Sequence, residues 1–132
     1  MTARTLVGSV FVTTSLVGFH RWPDAPAEVL YLRDRHRHLF KIRVDVSVEH
    51  KDRAIEYHRL KRQLNELFMV GTGYINATMN QYGEIDLGPQ SCEVFATEIM
   101  GWLRAVAYPD RPYYRVEVSE DGENGSVVEA TS

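Results

Sequence analysis

The clearest pattern in the chain begins at His36. There His36, His38, Phe40, Ile42, Val44, Val46 and Val48 alternate with Arg35, Arg37, Lys41, Arg43, Asp45, Ser47 and Glu49. A period of two with apolar residues on one parity predicts a long strand buried on one side. Upstream, Leu6 to His20 is rich in Val, Thr, Ser and Phe, the composition of a first strand, with Gly8 a candidate bulge. Pro23 and Pro26 forbid regular continuation, so Trp22 to Pro26 reads as a loop between the two strands.

Past a turn at Lys51-Asp52-Arg53 the period changes. Tyr57, Leu60, Leu64, Leu67 and Phe68 recur at helical spacing and predict a helix opening near Glu56. Residues 71–89 turn to Gly, Thr, Asn and Tyr without a sustained period, which predicts an irregular segment holding at most one short hairpin. Ser91 then precedes apolar Val94, Phe95, Ile99, Trp102, Leu103 and Val106. That is an N-cap followed by a second amphipathic helix, which Pro109 and Pro112 end. Tyr114, Val116, Val118 and Glu120 alternate with Arg115, Glu117 and Ser119 as a third strand. Asp121 to Gly125 is a turn, and Ser126 to Ala130 a short fourth strand. The order β-β-α-α-β-β, without repeat or linker, predicts one α+β domain over residues 1–132, with disorder confined to the ends, the C-terminal tail included.

Composition narrows the partners. With 44% hydrophobic and 25% charged residues the chain can bury a real core, and its net charge of −3 comes from interleaved acids and bases. No basic stripe invites a nucleic acid. The single Cys92 cannot pair within the chain, which predicts a reducing, cytoplasmic setting. Leu6 to Val17 is interrupted by Gly, Ser and Thr and falls short of the roughly 20 apolar residues of a membrane helix. No signal-peptide pattern precedes it, so neither membrane nor export is expected.

The candidate chemistry starts with His36 and His38. Residues two apart on a strand face the same side, roughly 6.6 to 6.8 Å apart, so two imidazoles can converge on one metal. Both share the parity of the core residues, where an imidazole needs partners. His20, ending the neighbouring strand, is the natural third ligand of a catalytic zinc site that leaves one position open. Such a pair also occurs in cupins and carbonic-anhydrase-like sites, and taken alone it does not choose among them. His50 and His58 read as surface residues.

Taken together, several segments resemble the 6-pyruvoyl- and 6-carboxy-tetrahydropterin synthases. They are His20 after a strand, fifteen intervening residues (21–35), His36-Arg37-His38 opening a strand, Glu56-Tyr57 and Leu60-Lys61 opening a helix, Ser91-Cys92-Glu93-Val94-Phe95-Ala96 opening another, and Val116-Glu117-Val118-Ser119-Glu120 closing. The resemblance implies a tunnel fold, an antiparallel sheet with two helices packed on one face. It implies zinc on His20, His36 and His38, and a pterin or purine-like ligand whose ring is gripped by Glu120, with Ser91 and Glu93 beside it. It further implies a homo-oligomer, trimer or hexamer, with active sites between subunits. A carboxylate can accept two parallel N–H bonds from an amino-pyrimidinone edge, which suits Glu120, although a solvated residue beside a turn is the plain alternative. Glu93 equally suits the helix dipole, and Cys92 is either an activated thiol or a buried small side chain.

The pattern also departs from that family. Leu32 stands four residues before His36, where the synthases carry a catalytic Cys. The Leu-Asp-His run that completes their proton relay is missing between Leu67 and Ser91, and Arg37 replaces the Gly between the paired histidines. These changes predict altered zinc-dependent, lyase-like chemistry, or else a pocket that holds its ligand without turning it over. Tyr31, Arg33, Asp34, Glu56 and His58 are the nearby polar groups in sequence, and none is assigned as the base.

Overall fold

The computed structural model describes residues 8–49, 52–70 and 73–131. In chain order the elements are β1 (Gly8–His20), a 3-10 segment (Ala27–Arg33), β2 (His36–Val48), α1 (Tyr57–Val70), β3 (Thr78–Met79) and β4 (Ile85–Asp86). They are followed by α2 (Cys92–Trp102), a π-helical turn (Leu103–Ala107), β5 (Tyr113–Glu120) and β6 (Asn124–Thr131). Leu6, Val7, His50, Lys51, Gly71, Thr72 and Ser132, on which parts of the sequence reading fall, lie outside the described residues.

The six strands form one sheet in the order β3-β4-β1-β2-β5-β6. β1 and β2 pair antiparallel along their whole length, from Gly8 opposite Val48 to His20 opposite His36. β5 continues the sheet on the other side of β2, with Phe40 opposite Glu120 and Val46 opposite Tyr114. The expected antiparallel sheet needs one correction: β4 runs parallel to β1, pairing Gly18 with Ile85 and Phe19 with Asp86. The segment between the helices returns along the outer edge of β1, and its short hairpin adds β4 in that direction. The 3-10 segment is a second addition to the expected loop.

The alternation read from sequence decides which side is buried. Val10, Val12, Phe40, Ile42, Val44, Val46, Val116 and Val118 face the helices, where they meet Leu60, Leu64, Leu67, Phe95 and Ile99. α1 lies against β1, and α2 against β5 and β6, so both helices cover one face. Glu56 starts α1 by accepting from the backbone N–H groups of His58 and Arg59 at 3.1 and 2.7 Å. Ser91 caps α2 by accepting from the Val94 N–H at 3.3 Å. Past Trp102 the helix widens, and the Tyr108 N–H donates to the Leu103 carbonyl before the chain reaches Pro109.

The opposite face is charged but not uniformly solvated. Asp45 is buried there, held by Arg43 through two parallel bonds of 3.0 Å, with Arg115 at 3.8 Å. Arg43 also lies over the Phe11 ring, 3.9 Å from its centroid.

Candidate functional site

Strand register builds the site. His20 ends β1 and His36 opens β2, and the pairing sets them directly opposite each other; His38 faces Gly18 on the same side of the sheet. The three rings gather with centroids 4.6, 5.3 and 5.0 Å apart. One nitrogen from each lies within 4.8 Å of the others. Phe40 forms the floor, its ring 5.3 Å from His20 and 5.8 Å from His38. Gly18 is required there, because a Cβ at that position would fall 2.7 Å from the Phe40 ring and 2.8 Å from Ile85.

Hydrogen bonds behind the rings fix their tautomers. His20 Nδ1 lies 2.9 Å from the Gln90 carbonyl and His36 Nδ1 lies 2.8 Å from the Asp34 carbonyl. A carbonyl only accepts, so both Nδ1 atoms carry the proton. His38 Nδ1 lies 2.8 Å from Asp121 Oδ2, while Asp121 Oδ1 accepts from the Leu39 N–H at 2.9 Å. These two bonds, that from Leu39 first, hold the Asp121 carboxyl below its ordinary range, so it is ionised and His38 Nδ1 donates. With Nδ1 engaged behind each ring, Nε2 is the nitrogen left to face the cluster. Behind His20, Gln90 is itself anchored by Glu98, to which its side-chain amide donates at 2.6 Å. This is the arrangement of metal-binding histidines oriented by outer acceptors.

The cluster opens into a cavity of about 520 Å³, of a size that takes a small heterocyclic ligand. Its walls include Trp22, Leu32, Ser91, Cys92, Glu93 and Glu120. A wider groove of about 900 Å³ runs past Lys41, Arg43 and Glu117, but it contains none of the three histidines. Site chemistry therefore favours the smaller cavity.

Glu120 comes from the end of β5 and reaches the histidines, Oε1 lying 3.3 Å from His20 Nε2 and Oε2 3.2 Å from His38 Nε2. Ser91 and Glu93 line the cavity from the start of α2, where Glu93 accepts from the Ser126 hydroxyl at 2.7 Å. That bond and one from Ser91 keep the Glu93 carboxyl low. Burial lowers the pKa of His20, opposed by the Gln90 carbonyl and the Glu120 charge. The Cys92 thiol is pushed up to about 12, first by burial and then by Glu120, to which it donates across 3.5 Å. Of the two readings of Cys92, the buried, inert thiol is therefore the one that holds.

The remaining polar candidates do not join the site. Arg33 donates to the Ala25 carbonyl, Tyr31 is 72% exposed, and Glu56 and His58 lie at the start of α1. Asp34 contributes its backbone carbonyl to His36. Leu32 occupies the cavity wall, so an apolar side chain lines the site where the resemblance placed a reactive thiol. Sequence reasoning passed over Asp121 as a turn residue and did not single out Gln90. The available signal for Asp121 was its place next to Glu120 in an Asp-Gly turn.

No protein-family profile matches the chain, and no curated protein is significantly similar in sequence. Solved structures do match. A catalytic-residue mutant of Plasmodium vivax 6-pyruvoyltetrahydropterin synthase aligns over 97% of this chain and 100% of its own, with TM-score 0.64 and 12% identity. The Plasmodium falciparum 6-pyruvoyl tetrahydropterin synthase aligns over the same shares, with TM-score 0.63 and 14% identity. An uncharacterised protein from Wolinella succinogenes aligns over 96% and 99%, with TM-score 0.61 and 12% identity. At such identities the likeness establishes the fold. The chain has the α+β tunnel fold of 6-pyruvoyl-tetrahydropterin synthases.

Proposed function

We propose that this protein binds zinc through His20, His36 and His38 and acts on a pterin or purine-nucleotide-like heterocycle with chemistry distinct from that of the synthases. The observation that carries the reading is that one nitrogen from each of the three histidines lies within 4.8 Å of the others, on rings whose Nδ1 is held by an oxygen. His38 Nε2 is buried without a hydrogen-bond partner, which a metal would satisfy. Three imidazole nitrogens are the donor set of a catalytic zinc with room for one more ligand. Bound there, zinc would supply Lewis-acid polarisation of a substrate oxygen and a lowered pKa for bound water.

The chain's own residues would do the rest. Glu93 and Ser91 at the head of α2, with Glu120 at the base of the cavity, offer acceptors to the N–H edge of an amino-pyrimidinone ring. Leu32 and Trp22 supply apolar wall. With the Cys92 thiol pushed up to about 12 and Leu32 in the wall, Glu120 is the carboxylate at hand for proton transfer. In keeping with the resemblance the protein would act as a homo-oligomer, a trimer or hexamer, and its single Cys92 suits a cytoplasmic setting.

Leu32 in the cavity wall and the missing Leu-Asp-His run favour a second reading, a pocket that sequesters its ligand without turnover. Metal analysis of the purified protein and of His36→Ala and His38→Ala comes first, followed by thermal-shift and mass-spectrometric screens with pterins and guanine nucleotides. Near-stoichiometric zinc lost in both variants, with product that also disappears in them, supports the enzyme. Stabilisation by a ligand recovered unchanged supports the sequestering pocket. Metal-free, folded protein that no pterin or purine stabilises sinks both.

A further inference from the structure

We propose that Glu120 is a fourth protein ligand of the metal, so that in the absence of an organic ligand the site is closed by three histidines and one carboxylate. This assignment rests on the histidine site proposed above and adds a residue to it. Two observations lead to it.

The first is electrostatic. The Gln90 carbonyl and the Asp121 carboxylate accept from Nδ1 of His20 and His38, which leaves both Nε2 atoms to face the cluster. Glu120 turns one oxygen to each of those nitrogens, at 3.3 and 3.2 Å. His38 Nε2 is buried and finds no hydrogen-bond partner although an oxygen lies within reach. A cation between them would engage the carboxylate and both nitrogens at once.

The second is metric. A tetrahedral zinc with ligand bonds of about 2.0–2.1 Å holds neighbouring ligand atoms about 3.3–3.4 Å apart. Each Glu120 oxygen stands close to that spacing from one nitrogen, Oε1 from His20 Nε2 and Oε2 from His38 Nε2. Backbone pairing keeps the carboxylate in place, since Glu120 ends β5 opposite Phe40, the residue whose ring forms the floor beneath His20 and His38. A ligand ring that draws Glu120 to its N–H edge would at the same time open the fourth metal position.

Cobalt(II) loading of the full chain tests this without any organic ligand. Wild type, Glu120→Gln and His36→Ala are titrated with cobalt(II) alone, and the d–d spectra are followed before and after adding azide as an inner-sphere probe. The expected result is that Glu120→Gln, folded by circular dichroism, binds cobalt at least tenfold more weakly, and that azide changes its spectrum but not that of wild type. Equal affinity within twofold, with azide entering both proteins alike, overturns the assignment and leaves the histidine site standing. Failure of wild type itself to bind cobalt overturns both.

Discussion

Replacing Asp121 with Asn isolates one charge at the edge of the site. Asp121 holds a left-handed backbone, φ 57°, in front of Gly122 at φ 75°, a pair suited to the tight turn between β5 and β6. Asn tolerates that conformation as readily as Asp, so the backbone carries no new strain. The carboxylate accepts from His38 Nδ1 at 2.8 Å and from the Leu39 N–H at 2.9 Å, and the Asp121 N–H donates back to the Leu39 carbonyl at 2.8 Å. An amide has one oxygen for these two donors. If its oxygen stays with Leu39, its NH2 group faces His38 and favours the tautomer with the proton on Nε2, which cannot ligate a metal. If its oxygen turns to His38, the Leu39 N–H loses its acceptor. Loss of such an outer partner weakens metal binding by about 10- to 100-fold. Competition for zinc against a chromophoric chelator at neutral pH measures the change. Thermal unfolding of the metal-free proteins separates it from any structural loss. Zinc affinity within twofold of wild type would refute the claim that Asp121 orients His38.

Three further outcomes are expected. Gly18→Ala forces a methyl group into the Phe40 ring and Ile85, and should cost about 1–3 kcal/mol by urea denaturation; an unchanged midpoint would mean that the floor of the site is not close-packed. The Glu56 carboxyl is held below its ordinary 4.5 by the Arg59 and His58 N–H groups, so the stability it contributes is present above pH 4.5 and is lost as pH falls through its lower folded value. The gap in urea midpoint between wild type and Glu56→Gln should therefore be open at neutral pH and close on acidification below 4.5, and a gap that widens there contradicts the cap. Raising the Cys92 thiol from 9.0 to about 12 cuts its thiolate fraction by about a thousandfold below pH 9. Alkylation of the native protein at mildly alkaline pH should lag the urea-unfolded chain by that order, and comparable rates would show an accessible, activated thiol.

Local pattern carried most of the element reading. The alternation from His36 to Val48 marks β2 at its observed bounds, because a strand buried on one side must alternate along its length. Ser91 announced α2, because an oxygen acceptor is needed where four N–H groups lack partners. The β3–β4 hairpin was visible only as an allowance within residues 71–89, since two-residue strands are too short to show a period. The parallel entry of β4 was not visible at all, because direction depends on which edge the returning chain meets. The buried state of Asp45 was equally hidden: Arg43 was two residues away in sequence, but the second cation, Arg115, comes from another strand.

The candidate site divides along the same line. His20, His36 and His38 could be named from the chain alone, because the two-residue spacing on a strand and the end of its neighbour bring their rings together in any antiparallel pairing of that register. Sequence by itself also exposed the departures, with Leu32 at the position of the expected thiol. Only the tertiary structure decided which ring nitrogens face inward, because the Gln90 and Asp121 oxygens that hold the Nδ1 atoms come from 70 and 83 residues away. It also decided how the Cys92 thiol titrates and where the Glu120 oxygens point, since burial and carboxylate orientation are set by packing across strands and helices rather than by neighbours in the chain.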